Sequence, residues 1–122
     1  MKVLIVESDP ELSRIWQRHL ERQGATVRLA TSQAEAVARL QKCDIQVIVL
    51  SLDLSVGSAL AVADFASYRR PEARVVFVTR SGFFSDGSIF RLAPNTAAFV
   101  AAETPPEDLA AIVEHHGSHH PA

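Results

Sequence analysis

Short apolar runs alternate with helical patterns along the chain. The apolar runs, rich in β-branched residues, are Val3–Val6, Val27–Ala30, Gln46–Leu50, Val75–Thr79 and Ala97–Ala101. Each is nearly free of polar interruptions, as expected of strands buried on both faces. Between them the period changes. Asp9-Pro10-Glu11 opens a first helix, with an Asp cap and Pro at its first position. Leu12, Ile15, Trp16 and Leu20 then recur at helical spacing, and Gly24 ends the segment. Ser32-Gln33-Ala34-Glu35 reads as a capping box, with Val37 and Leu40 on one face beyond it. Leu60 to Tyr68 predicts a third helix that stops before Pro71, and a short fourth is expected near Ile89–Leu92. Thr104-Pro105-Pro106-Glu107 starts a fifth, carrying Leu109, Ile112 and Val113.

Strands that alternate with helices predict a parallel sheet covered on both faces. We expect a doubly wound α/β domain over residues 1–114, with five strands in the flavodoxin-like order 2-1-3-4-5. Residues 115–122, with His115, His116, His119 and His120, are expected to form a flexible tail. In such sheets ligands bind outside the carboxyl ends of the strands. That places Glu7, Ser8 and Asp9 after strand one and Ser51 and Asp53 after strand three. Thr79 and Arg80 follow strand four, and Ala102 follows strand five.

Composition narrows the function classes. The formal net charge is −2, so no overall basic footprint points to nucleic acid or a membrane. The single cysteine, Cys43, forms no internal disulfide and suits a reducing, cytoplasmic setting. The apolar start is too short for a membrane span. No Gly-x-Gly-x-x-Gly follows strand one, and Ser51 lies in Leu-Ser-Leu, unlike the Gly-x-Ser-x-Gly elbow of hydrolases. The one central histidine, His19, sits within helix one, away from the strand ends.

The strand ends taken together resemble the receiver domains of two-component response regulators. Val3-Leu4-Ile5-Val6-Glu7-Ser8-Asp9-Pro10-Glu11-Leu12 is similar to their opening, where acids close strand one. The stretch from Val47 through Ser51 to Leu60 is similar to their third strand and its loop, and Val75–Thr79 to their fourth strand with its terminal Thr. Phe99 through Leu109 is similar to the segment that carries Lys-Pro and then Pro-Glu-Glu-Leu. The resemblance implies a phosphoacceptor pocket here, and the residues in it depart from the family pattern. Ser8 stands where a second metal-holding acid is expected, Ser51 where the acceptor Asp is expected, and Ala102 where the Lys is expected. Arg80 replaces a small residue after Thr79. Thr79 and Phe99 alone match the switch machinery.

Phosphoryl transfer to a carboxylate needs the carboxylate, a metal and a cation for the equatorial oxygens. With three of these elements changed, we expect a degenerate receiver that is not an enzyme. It should act through protein–protein contacts with a histidine kinase or an output protein, as a monomer or homodimer. No cofactor is expected, and Mg²⁺ binding should be lost or weak, with Glu7 and Asp9 as its weak candidates. Arg80 is expected to fill the pocket and pair with an acid. Strand alternation carries Asp53 away from it. Phe83, Phe84 and Phe99 are the candidate switch and output face. Two alternatives stay open: phosphorylation in an unusual way at Asp53, Asp9 or Ser51, or an unrelated flavodoxin-like cofactor binder.

Overall fold

The computed structural model describes residues 1–80 and 95–118. Five strands, β1 (Lys2–Val6), β2 (Thr26–Ala30), β3 (Val47–Ser51), β4 (Arg74–Thr79) and β5 (Thr96–Ala101), form one sheet. All pair in parallel, in the order β2-β1-β3-β4-β5. Four helices are described: α1 (Pro10–Arg22), α2 (Gln33–Lys42), α3 (Ala59–Arg69) and α4 (Pro106–Ser118). The short helix expected near residues 89–92 lies outside the described residues, as do Phe83 and Phe84. No helix among the described residues is long and apolar enough to cross a membrane.

Side-chain alternation sorts the strands into two cores. Leu4, Val6, Ile48, Leu50, Val75 and Phe77 face α2 and α3, meeting Ala36, Leu40, Val62 and Ala66. Val3, Ile5, Val47, Val49, Val76 and Val78 face α1 and α4, meeting Trp16, Leu20, Leu109 and Val113. Every residue of β3 is buried, which explains why its sequence shows an apolar run without alternation.

The local signals act as expected. Asp9 caps α1, accepting the Glu11 N–H at 3.0 Å. Gly24 adopts φ +91° just past the end of α1, the left-handed conformation that Gly reaches at least cost. Ser32 caps α2 through the Glu35 N–H. The Glu35 carboxylate, however, reaches past Ser32 and accepts from the N–H and hydroxyl of Thr31, at 2.8 and 2.9 Å. Those two donors, the backbone one foremost, hold the Glu35 carboxyl below its ordinary pKa.

The tail boundary expected at residue 115 is corrected by α4, which runs to Ser118 and takes in His115 and His116. Gly117 is what permits it. The position is buried, and a Cβ there would collide with the Met1 sulfur. The intrinsic cost of a helical Gly is about 1 kcal/mol, and here the Met1 side chain packs into the space that a Cβ would take.

Candidate functional site

The carboxyl ends of the strands gather the expected residues. Val6 and Leu50 pair in register, so Glu7 and Ser51 follow side by side on β1 and β3. Ser51 pairs with Val78, and Thr79 with Ala101, which brings Thr79 and Ala102 to the same rim. Backbone bonds carry the ladder one residue beyond the strands: Glu7 N–H to Ala30 O, Leu52 N–H to Val78 O, and Ala102 N–H to Thr79 O.

Glu7 is the buried acid of the site, only 1% exposed. Its Oε2 accepts the Asp9 N–H at 3.1 Å. Its Oε1 lies 3.9 Å from the Arg80 guanidinium, which also stands 3.8 Å from Asp9 Oδ2. Arg80 therefore bridges both acids of the β1 end across the mouth of the pocket, while its own side chain stays half exposed. These are ion-pair distances longer than hydrogen bonds, and solvent screens them. Their contribution to stability is small, well under about 1 kcal/mol. Their effect on local charge is larger, since one cation sits where two carboxylates would otherwise repel.

Asp53 corrects the sequence reading. It does not turn away from the pocket. Its Oδ2 accepts the Arg80 N–H at 3.0 Å, tying the β3 and β4 ends together. Strand alternation fails as a guide because β3 ends at Ser51 and the chain turns at Leu52 and Asp53. Ser51 is buried, and its Oγ accepts the Asp53 N–H at 3.3 Å. It closes the turn that aims Asp53.

Ser8 has a role that the sequence did not reveal. Its Oγ accepts the Ser55 N–H at 2.9 Å and donates to Thr31 O at 3.4 Å. One hydroxyl thus joins the loops after β1, β2 and β3. Gln33 adds a second clasp: its Oε1 accepts the Ser58 N–H at 2.9 Å, and its N–H reaches Val56 O at 3.3 Å. Between these bonds Gly57 sits at φ +92° with Gln33 against it, leaving no room for a Cβ. No local motif announces such contacts, because the partners are up to 47 positions apart.

Phe99 lies on β5 and stacks on Phe77 at 5.3 Å between ring centroids, with an interplanar angle of 18°. It packs at the edge of the α2/α3 core. Ala102 contributes a methyl to the opposite core and no charge to the rim.

The donor set does not fit Mg²⁺ as receivers hold it. Magnesium seeks carboxylate and water oxygens in near-octahedral array. Here Ser8 and Ser51 offer neutral hydroxyls already engaged with backbone groups, and a guanidinium stands beside Glu7 and Asp9.

Compared with models of protein families, the chain matches none. A curated relative is the acid tolerance regulatory protein ActR of Rhizobium meliloti (strain 1021), 34% identical over 80 residues. That match covers 66% of this chain but only 41% of the relative. Among solved structures, a CheY-like response regulator receiver domain protein from Methanospirillum hungatei JF-1 superposes with a TM-score of 0.85. It is 21% identical, and the match covers 95% of this chain and 92% of that one. A response regulator from Burkholderia pseudomallei, solved with a phosphorylated aspartic acid, calcium ion and citrate, gives a TM-score of 0.81. Its identity is also 21%, over 96% of this chain and 68% of that one. The resemblance carried by four strand ends thus extends to the whole architecture, and this chain has the fold of response-regulator receiver domains.

Proposed function

We propose that this chain is a degenerate receiver domain that works in cytoplasmic signalling by binding another protein, without phosphoryl turnover of its own. The observation that carries the proposal is the Arg80 bridge. Its guanidinium stands 3.9 Å from Glu7 and 3.8 Å from Asp9, while the buried Ser51 hydroxyl accepts the Asp53 N–H. The cation that a receiver recruits from solution is here supplied by the chain. The acceptor has become a turn-closing hydroxyl. The partner is a signalling protein such as a histidine kinase or an output protein, and neither catalysis nor a cofactor is part of the reading.

In this reading Thr79 and Phe99 form a fixed contact surface. A ligand shifts a conformational equilibrium only through unequal affinity for the two states. A phosphoryl group that never forms has no such effect on Thr79. The Phe99 ring, already stacked on Phe77, keeps one position.

One observation favours a second reading. Asp53 is exposed and bonded to the Arg80 N–H, so a carboxylate does stand at the mouth. Incubation of the full chain with acetyl phosphate and Mg²⁺, and separately with its cognate kinase, followed by intact-mass and peptide mapping, decides between the two. No phosphoryl addition is expected. An acyl phosphate on Asp53 or Asp9, or a phosphoserine at Ser51, would overturn the proposal.

A further inference from the structure

The amino end of the sheet, opposite the receiver pocket, carries a cluster that the proposed function does not use. Two cavities open there, of about 540 and 320 Å³, with Lys2, Asp44 and Ile45 as a shared wall. Arg69 and Arg70 line the larger, and Arg28 and Lys42 the smaller. Five cations therefore surround this double cavity, against the two acids Asp44 and Glu72.

The fold explains how they meet. Lys2 shares its phase on β1 with Leu4, and Arg28 shares its phase on β2 with Ala30. Both Leu4 and Ala30 bury toward α2 and α3. Lys42 and Arg69 end α2 and α3, and Arg70 caps α3. Cations in a last helical turn offset the negative helix pole, which accounts for Lys42 and Arg69. Lys2 and Arg28 stand on strands, where no such pole exists.

The one acid of the shared wall is already taken. Arg70 Nη1 bonds Asp44 Oδ1 at 2.8 Å, its Nε donates to Leu40 O at 3.0 Å, and Arg69 donates to Gln41 O at 3.1 Å. Among the described residues, Lys2, Arg28 and Lys42 have no acid within ion-pair distance. All three are exposed. Three uncompensated cations thus face a concave space whose size is that of small-molecule sites.

We propose that this double cavity binds a small polyanion with two or more phosphate groups. Lysine ammonium groups serve phosphate as point charges, and guanidinium groups serve it as forked donors. The concave form favours a small ligand over a flat acidic protein surface. Of the apolar residues lining the larger cavity, Pro71 is exposed and offers a face against which a nucleoside could rest.

The test titrates the full chain with tripolyphosphate and with ATP, free of divalent metal and at ionic strength held constant with KCl, using calorimetry. A triple variant, Lys2→Gln with Arg28→Gln and Lys42→Gln, is compared with Arg18→Gln, which removes an exposed α1 cation instead. Saturable binding is expected in the native chain and in Arg18→Gln, weakened at least tenfold in the triple variant. Tighter binding of ATP assigns a nucleotide, and equal affinities assign the phosphate chain alone. No saturation in the native chain, or an undiminished affinity in the triple variant, overturns the proposal. Amide shifts in the native chain give a reading that does not depend on how the variant folds. Those of Ile45 and Gln46 should move with ligand, and movement confined to Glu7 and Ser51 also overturns it.

Discussion

The two ends of the sheet treat charge in opposite ways. At the carboxyl end the acids are compensated: Arg80 stands between Glu7 and Asp9, and Asp53 takes the Arg80 N–H. At the amino end, among the described residues, Arg70 with Asp44 is the one ion pair, and Lys2, Arg28 and Lys42 have no acid within ion-pair distance. A site closed by its own side chains has little affinity to offer an ion. A site with unmatched charge keeps it for a partner. The comparison teaches that one fold can match its charges at one end of the sheet and leave them unmatched at the other.

The strongest way to break the comparison is to add the same carboxylate at each end. Ser51→Asp puts a charge into a 1% exposed position beside buried Glu7, with Ala102 where a lysine would neutralise it. A loss of about 2–4 kcal/mol at neutral pH is expected by denaturant unfolding. The new acid should have a raised folded-state pKa, so the penalty exists while it is ionised and fades as the pH falls. Thr26→Asp, exposed on the rim of the smaller cavity beside Lys2, Arg28 and Lys42, should stay within about 0.5 kcal/mol. Equal losses at the two sites would sink the contrast.

Arg80→Ala should sharpen it. Removing the bridging cation exposes Glu7 and Asp9 to each other and to solvent cations. The variant is then expected to gain a saturable stabilisation by Mg²⁺, about 1.4 kcal/mol at ten times Kd. The parent should show no more than a matched monovalent salt control. A parent that responds to Mg²⁺ as strongly as the variant would mean that Arg80 does not close the pocket.

At the other end, Asp44→Asn removes the acid of the shared wall and frees Arg70. Tripolyphosphate affinity should rise severalfold, about 0.5–1 kcal/mol, as expected for an exposed charge. Unchanged affinity would place the anion elsewhere.

The smallest effect concerns Glu35, near the carboxyl end but apart from the Arg80 network. Its carboxyl is held below its ordinary pKa by Thr31, so its contribution is present above the unfolded value and is lost as the pH falls through the folded one. Glu35→Gln should therefore melt slightly below the parent at neutral pH and match it in acid. A gap that persists in acid would assign the effect to packing rather than to charge.

Much of the fold was legible because its signals are local. Asp9, Gly24 and Ser32 act on backbone groups within a few positions, and burial on both faces leaves an apolar imprint on a strand such as Val47–Ser51. The site was legible as a list, because parallel strands bring their carboxyl ends to one rim whatever the loops do. It was less legible in its geometry. Asp53 was read by alternation beyond the end of the strand that enforces alternation, and the extension of α4 to Ser118 was hidden by Gly117. That glycine is explained by the packing of Met1, far away in sequence.

By itself, then, the amino-acid sequence determined the order of strands and helices and their caps, and it put Ser8, Ser51 and Ala102 where the resemblance to receivers implies an acid, an acceptor and a lysine. Tertiary structure alone decided that Ser8 clasps three loops, that Arg80 bridges Glu7 and Asp9, and that Lys2, Arg28, Lys42 and Arg69 line one double cavity. Caps and strand burial depend on chain neighbours and on the period of the backbone. Charges act through space, so a net charge of −2 is compatible with an unmatched basic rim once the fold has separated the acids from the cations.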